Sequence, residues 1–354
     1  MASRHGDRPT SDAMNRETLP TVAVCIPTYN QAQFVGRAVE SALRQTDFPH
    51  VEVWVSDDAS TDETPGVMTA LSARDPRVHY HRHDTNLGIA ENSSWVLKQP
   101  SAAFVVRLDS DDLLLPDFVR VLHAKLLEHP DAAYAHSSVA VIDANDVVQS
   151  VSHLHRPQEF VSADAALREA LKGYKTVANI LMFRAEALRR ANYYHGRPSY
   201  TEDYDLSVRL ADLGYGNVYV HEVLAHYRVW GDAQGTRHHR KVMHLRGLIR
   251  LFHGPFAEAY ARRGWNQAEV RRARRRVAVR FATSVFMPWI TPTERAELVP
   301  MLYELDNGWR VHLRVRLLRI GLAPVFAALS RGDTVLRRWA KRVLAALRGL
   351  RRAP

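Results

Sequence analysis

Three groups of acidic residues stand out in the first two thirds of the 354-residue sequence. Asp57-Asp58 and Asp109-Ser110-Asp111 each follow a short apolar run, and Glu202-Asp203 precede leucines at helical spacing. Neighbouring carboxylates repel each other unless a cation lies between them, and oxygen ligands alone suit Mg²⁺ or Mn²⁺. Asp109 and Asp111 are therefore predicted to bind a divalent metal ion. The competing interpretation is that Asp111 or Asp112 caps a helix.

A second group of residues has the chemistry to hold a nucleotide. Tyr29, in the segment Pro27-Thr28-Tyr29-Asn30, offers an aromatic face on which a base can stack. Of Asp57 and Asp58, one can accept a hydrogen bond from a ring N–H of the base, while the other fixes the turn with Ser60 and Thr61. Because the chain has no glycine-rich phosphate loop, the phosphates are predicted to be held by the metal ion.

The elements that must position these residues alternate between strands and helices. Strands are predicted at Val22–Ile26, Val51–Val55, Val78–His81 and Phe104–Leu108, where short β-rich runs occur. Apolar residues at helical spacing separate them, and Pro116 is predicted to lie in the first turn of a helix that runs to about Glu128. This alternation predicts an α/β fold, a mostly parallel sheet with helices on both faces. Ligands bind such sheets at the carboxyl ends of the strands.

Charge divides the chain into two parts with different tasks. Residues 1–233 contain 22 Lys/Arg and 31 Asp/Glu, a net charge of −9, whereas residues 234–354 contain 26 and 7, a net charge of +19. We predict a disordered leader over 1–20, a catalytic domain over 21–233 and a basic helical C-terminal region over 234–354. The single cysteine, Cys25, lies among apolar strand residues and is predicted to be a buried core thiol.

Arginines and apolar residues alternate at helical spacing near the C-terminus. Within residues 310–352, Val335, Trp339 and Val343 recur every four residues, and basic residues such as Arg338 and Arg342 occupy positions between them. This pattern is typical of a basic amphipathic helix on an anionic membrane surface, and a packed helical appendage and nucleic-acid binding are the alternatives. Neither a signal peptide nor an apolar stretch of membrane-spanning length is found. The protein is therefore predicted to lie on the cytoplasmic side, peripherally on the membrane.

Five segments together resemble the family 2 glycosyltransferases in order and spacing. They are IPTYN (Ile26–Asn30), VSDDASTDET (Val55–Thr64), NLGIAEN (Asn86–Asn92), LDSDDLLLP (Leu108–Pro116) and TEDYDLSVRL (Thr201–Leu210). This family has the GT-A fold and transfers sugars from nucleotide-diphosphate donors with inversion. The resemblance covers roughly residues 21–230. It implies a hexosyltransferase that uses a donor such as a UDP-sugar and Mn²⁺ or Mg²⁺.

The resemblance also implies roles for individual residues. Nucleotide contacts are implied for residues in the first four segments: Pro27, Thr28, Tyr29, Asn30, Asp57, Asp58, Asn86, Gly88, Asn92, Asp109 and Ser110. Among them, Pro27 and Tyr29 would flank a uracil ring and Asp58 would pair with its N–H. Asp109 and Asp111 resemble the metal-binding DXD motif. Asp203, beside Glu202, resembles the catalytic base, although from its position at a helix start it could equally be a capping acid.

Two departures from the family pattern are visible. Trp230 stands where many relatives have a histidine that assists at the metal, and Ala90-Glu91 stand where relatives often place an arginine. The predicted function is sugar transfer to a glycan or lipid-linked acceptor in surface polysaccharide, lipopolysaccharide or glycolipid synthesis. Two alternatives are a GT-A-like nucleotidyltransferase and a non-catalytic basic protein that binds membranes or nucleic acid. His79, His81 and His83, which alternate along a strand, are predicted to be structural rather than metal ligands.

Overall fold

A computed structural model describes residues 22–194, 200–230, 236–322 and 326. The chain forms two compact units, one comprising residues 1–198 and 202–233 and the other comprising 199–201 and 234–354. We call them the sheet unit and the helical unit. The predicted leader, and the apolar positions Val335, Trp339 and Val343 of the predicted amphipathic helix, lie outside the described residues.

The sheet unit is built on one mixed sheet, whose described strands run in the order β3-β2-β1-β4-β9-β6-β10-β5, with β7 beside β6 and β8 beside β10. Parallel pairing joins β1 to β2 and β4, β2 to β3, and β6 to β10, while β9 is antiparallel to both β4 and β6. The strands are β1 Val22–Thr28, β2 Glu52–Asp57, β3 Val78–Arg82, β4 Phe104–Arg107, β5 Leu113–Leu114, β6 Ala132–Ile142, β7 Val148–Ser152, β8 Phe160–Val161, β9 Leu181–Arg184 and β10 Gly216–Arg228.

Helices cover both faces of this sheet, as the alternating pattern predicted. They are α1 Val35–Leu43, α2 Thr64–Arg74, α3 Ile89–Leu97, α4 Phe118–Glu128, α5 Ala163–Ala170, α6 Ala185–Arg190 and α7 Glu202–Asp212. One apolar core joins α1, α2 and α4 to the face that carries Val24 and Ile26. A second core joins α3, α6 and α7 to the opposite face, where Cys25 is buried and Leu206 and Leu210 pack. Burial raises the pKa of the Cys25 thiol. Cys25 is thus a buried core thiol, as predicted from its apolar neighbours.

Three local predictions are corrected. The first strand does not stop at Pro27, since β1 continues to Thr28 and pairs Pro27 with Ser56 in register. A proline removes only one ladder donor, so pairing with β2 outweighs the local stop signal. Pro116 lies before α4, which begins at Phe118. Neither Asp111 nor Asp112 precedes that helix directly, because β5 intervenes, so the capping interpretation of these acids is wrong.

The helical unit contains α8 Thr236–His253, α9 Pro255–Arg262, α10 Gln267–Val285, α11 Pro292–Leu305 and α12 Trp309–Leu317, followed by a π-type turn at Leu318–Leu322. Local capping starts two of these helices. The Asn266 side chain accepts a hydrogen bond from the Ala268 amide at the start of α10, and Thr291 and Glu294 form a capping box at the start of α11. Within the described residues no helix is long and apolar enough to cross a membrane.

Candidate active site

The predicted nucleotide residues gather at one edge of the sheet because β1, β2 and β4 are neighbours and run parallel. Asn30 ties the first two strand ends together. Its amide donates to Ser60 Oγ (2.9 Å), and its side-chain oxygen accepts from the Thr61 amide (2.8 Å). Pro27 and Thr28 are buried, whereas the Tyr29 ring is 46% exposed at the rim. Tyr29 is therefore the residue of this segment with a face open to a planar ligand.

The two aspartates at the end of β2 have different partners. Asp57 accepts from the Ser60 amide (2.8 Å) and from the Tyr80 hydroxyl (2.8 Å), which makes it the residue that fixes the turn. Asp58 accepts from the amides of Leu87 (2.6 Å) and Gly88 (2.9 Å), one on each carboxylate oxygen. The structure thus joins two parts of the predicted pocket. One is Asp58 at the end of β2, and the other is the segment that carries Asn86 and Gly88.

Asn92 differs from the other predicted nucleotide residues. It is 1% exposed, accepts from the Ser56 hydroxyl (2.6 Å) and donates to the Ser56 carbonyl (3.0 Å). Both ends of its amide are thus used to hold β2 against α3, and its predicted contact with a nucleotide stays a prediction. The nearby histidines are also engaged: His83 bonds Ser56 Oγ (3.0 Å), while the His79 and His81 rings stack on Trp54 and Trp95.

A buried arginine joins the DXD segment to α7. Arg107, at the end of β4, donates to Asp109 Oδ1 (2.9 Å) and to Asp203 Oδ1 (2.5 Å), and the Tyr194 hydroxyl donates to the same Asp203 oxygen (2.7 Å). Only 6% of the Arg107 side chain is exposed, against 25% for Asp109 and 17% for Asp203. Within the described part of the chain, Asp203 Oδ2 has no hydrogen-bond donor. The predicted base therefore has one oxygen held and the other free.

The pKa of Asp109 reflects its burial and the charged groups around it. Burial raises its pKa to about 6, the Arg107 guanidinium opposes that rise, and the charges of Asp111 and Asp203 add to it. Ser110 beside it is buried. Glu202 begins α7 and Asp203 lies in its first turn, as predicted from the helical spacing. Positive partial charge at this helix start stabilises both carboxylates.

Asp111 and Asp112 connect the DXD segment to the end of β10. The Trp230 indole N–H donates to Asp111 Oδ2 (2.9 Å), and the Arg228 amide donates to Asp112 Oδ1 (2.8 Å). Asp112 is 1% exposed, and burial raises its pKa, with the charges of Asp109 and Asp111 adding to the rise. The Trp230 indole thus holds one oxygen of Asp111.

The sequence interpretation missed Arg107, Tyr194 and Arg228. Arg107 carried a usable signal: it is the one charge in an apolar strand and lies two residues before Asp109, hence on the same side of an extended chain. Tyr194 contacts Asp203 nine residues further along, and the Arg228 amide contacts Asp112 across 116 residues, and no local pattern marks either residue. In the described residues, no group of three or more His, Cys, Asp or Glu side chains forms a ready metal site.

Comparisons with known proteins show what this chain is similar to. The profile described as Glycosyl transferase family 2 matches residues 23–189. Chondroitin synthase from Escherichia coli is 29% identical over 196 residues, 55% of this chain and 27% of the relative. GalNAc(5)-diNAcBac-PP-undecaprenol beta-1,3-glucosyltransferase from Campylobacter jejuni is 35% identical over 119 residues, 33% of this chain and 37% of the relative. The chain thus spans less than half the length of either relative.

The fold has a solved counterpart. The crystal structure of S. aureus TarS residues 1–349 in complex with UDP-GlcNAc matches with a TM-score of 0.61 at 18% identity, over 90% of this chain and 89% of that one. At this identity the likeness shows the fold alone, and it confirms the predicted α/β architecture. Through residues 23–189 this chain is thus similar in sequence to glycosyl transferase family 2, by the profile match and by the relatives.

Proposed function

We propose that the protein transfers a sugar from a nucleotide-diphosphate donor, most specifically a UDP-sugar, to a hydroxyl group with inversion at the anomeric carbon. One observation carries the proposal. Arg107 links Asp109 of the DXD segment to Asp203 at the start of α7, so the donor side and the base side meet at a single buried guanidinium. Such a link has a clear use where a leaving diphosphate and a base must face one anomeric carbon.

The donor side is formed by the ends of β1 and β2. Tyr29 supplies an exposed ring for the base, while Asp58 holds the segment of Asn86 and Gly88 around it. We assign to Asp57 the turn that keeps Asp58 in place, since its own oxygens are used locally. The UDP-GlcNAc complex of TarS supports uracil as the base.

Asp203 is proposed as the general base. Its Oδ1 is fixed by Arg107 and Tyr194, which leaves Oδ2 to accept the proton of the acceptor hydroxyl. The acceptor oxygen then forms a bond to the anomeric carbon while the bond from that carbon to the donor diphosphate breaks, with inversion. General-base assistance of this type contributes about 10²–10⁴ in rate. Glu202, the preceding residue, contributes negative charge at the same helix start.

Asp109 and Asp111 are the residues that would hold Mn²⁺ or Mg²⁺. Such ions are commonly bound through one or two carboxylates, with substrate phosphates and water completing the set, so two aspartates suffice without a third protein ligand. A bound ion would supply Lewis-acid stabilisation of the leaving diphosphate. Arg107 and Trp230 each hold one oxygen of these aspartates, which orients both carboxylates toward the edge of the sheet.

The acceptor is proposed to be a glycan or a lipid-linked glycan, and the setting the cytoplasmic face of a membrane. Support comes from the relatives, since one is named a chondroitin synthase and the other acts on an undecaprenol-linked oligosaccharide. Nucleotidyl transfer and a non-catalytic scaffold are less well supported, because the family match is to glycosyltransferases. We therefore place the protein in surface polysaccharide or glycolipid synthesis.

Calorimetry tests the donor site. The full chain is titrated with UDP, GDP, CDP and dTDP, each with and without Mn²⁺. We expect UDP to bind and Mn²⁺ to strengthen its binding, whereas Asp109→Asn should remove the effect of Mn²⁺. Absence of binding for all four diphosphates under both conditions contradicts the proposal.

Substitution of Asp203 tests the base. Asp203→Asn should lower the rate of sugar transfer by about 10²–10⁴ while UDP affinity stays at the parent value. Asp205→Asn is the matched control, because Asp205 lies in the same helix, loses the same charge and pairs with Arg209 instead (2.6 Å). Equal rates for the two variants would assign the base role to another group.

A further inference from the structure

The helical unit contains a cavity lined by arginines that the transfer reaction does not use. It has a volume of about 660 Å³ and lies between α10 and α12. The arginines that line it are Arg272, Arg275, Arg276, Arg280, Arg310 and Arg314. Their spacing is that of helix faces: three of those on α10 recur every four residues, and so do the two on α12. Two positive stripes therefore border one concave space.

Most of this charge lacks a carboxylate counterpart. Asp306 pairs with Arg275 (3.2 Å) and, outside the cavity, with Arg274 (3.6 Å). Among the residues that the structure describes, no carboxylate pairs with Arg276, Arg310 or the other three arginines of the lining. Like charges gathered around a concave space repel each other and are stabilised by an anion that enters it.

Arg314 is the member of the lining that most needs such an anion. It donates to the Thr283 hydroxyl (3.0 Å), its guanidinium lies over the Phe326 ring, and its buried Nε has no partner in the described structure. Burial lowers its pKa to about 10, which still leaves it a cation at neutral pH. Guanidinium groups are planar and present paired N–H donors, the geometry that suits phosphate oxygens.

A larger apolar cavity of about 960 Å³ adjoins the arginine cavity. Met287 lines both, so the two cavities are neighbours across that side chain. The apolar part of the second lining includes Phe286, Trp289, Val299, Tyr303 and Leu318. Trp289 is 53% exposed, so a large aromatic surface remains open to a ligand.

We infer that the helical unit binds a phosphate-bearing amphiphile, with the phosphate group among the arginines and the hydrocarbon chain in the apolar cavity. Charge complementarity selects the anionic head, and the adjoining apolar cavity selects the chain. A free phosphate compound would satisfy the first cavity and leave the second without a ligand. The residues involved are distinct from those of the sheet edge.

Monoalkyl phosphates of increasing chain length test this site. The full chain is titrated by calorimetry with inorganic phosphate, butyl phosphate, hexyl phosphate and octyl phosphate, each below its micelle concentration. We expect the affinity to rise about fourfold for each methylene that enters the apolar cavity. An affinity that stays constant with chain length means that free phosphate is the ligand and overturns the inference, as does absence of binding throughout.

A charge-matched pair of variants locates the head group. Arg276→Ala/Arg310→Ala removes one exposed arginine from each stripe, and Arg271→Ala/Arg316→Ala removes two exposed arginines of the same helices that do not line the cavity. Affinity for phosphatidylcholine vesicles containing phosphatidic acid should fall about 30-fold in the first variant and much less in the second. Equal losses would indicate general attraction to an anionic surface and overturn the inference.

A third variant tests separately whether the hydrocarbon chain lies in the apolar cavity. Trp289→Ser should weaken octyl phosphate binding while leaving the affinity for inorganic phosphate unchanged. Loss of both, or of neither, overturns the placement of the hydrocarbon chain. The far-UV circular dichroism spectrum and its thermal transition, recorded for every variant, show whether the helical unit is folded, and UDP binding, measured separately, keeps failure here distinguishable from failure of the transferase proposal.

Discussion

Arg107 of the sheet unit and Arg314 of the helical unit are held in opposite ways. In the sheet unit, Arg107 is withdrawn from water and held by two carboxylates, Asp109 at 2.9 Å and Asp203 at 2.5 Å. In the helical unit, Arg314 is partly withdrawn from water and bonds a hydroxyl group, without a carboxylate among the described residues. A compensated arginine fixes the groups around it, whereas an uncompensated one leaves its charge available to a ligand. The difference predicts opposite responses to removal of the charge.

The largest loss of stability is expected at Arg107, whose charge is paired with two carboxylates. Arg107→Met leaves Asp109 and Asp203 near each other without a cation, so we expect a loss of about 3–5 kcal/mol in the free energy of unfolding. Urea denaturation measures it. Arg44→Met is the control, because Arg44 forms an exposed pair with Glu40 and its removal should cost less than about 1 kcal/mol. Similar losses in the two variants would contradict the role of Arg107.

An intermediate effect is expected at Asp306, which is 2% exposed and compensates Arg274 and Arg275 in the helical unit. Asp306→Asn removes the charge but keeps an oxygen for the Gly308 amide (2.9 Å), so we expect a loss of about 2 kcal/mol. Glu258→Gln, in an exposed pair with Arg262, should change stability by less than about 1 kcal/mol. If Asp306→Asn proves as mild as Glu258→Gln, Asp306 does not compensate these arginines.

The comparison also explains what could be predicted from the sequence. Strands β1 to β4 and the helices between them follow from local periodicity, and the shared edge of Tyr29, Asp58 and Asp109 follows from parallel strand order. Arg107 and Tyr194 contact Asp203 across 96 and 9 residues, so their geometry depends on how β4 and α7 pack. The antiparallel β9 and the arginine cavity likewise depend on packing, which amphipathic spacing does not specify.

A third effect, on the pH dependence of stability, is expected at His136, a buried histidine that forms no ion pair with a carboxylate among the described residues. His136 in β6 is 1% exposed, and burial, reinforced by the positive charge of Arg156, lowers its pKa to about 3. The unfolded chain takes up this proton below about pH 6.5 and the folded protein does not, so stability falls between that pH and about pH 3. This residue contributes a slope of up to about 1.4 kcal/mol per pH unit.

His136→Phe removes this proton and keeps an aromatic ring beside Tyr219, whose centroid lies at 5.0 Å. Urea denaturation across the same pH range should give a shallower curve for the variant than for the parent. Parallel curves would mean that the folded protein also protonates His136.

The smallest change in stability is expected at Arg314. Arg314→Met keeps an unbranched stem against Phe326 and gives up one hydrogen bond to Thr283, while it removes the cost of holding a partly buried cation. These effects oppose each other, so the free energy of unfolding should change by less than about 1 kcal/mol. Octyl phosphate affinity should nevertheless fall about tenfold, since one charge-assisted contact is lost. A loss of stability as large as that of Arg107→Met would show that Arg314 is compensated after all, because only a cation that stabilises the folded state costs several kcal/mol to remove.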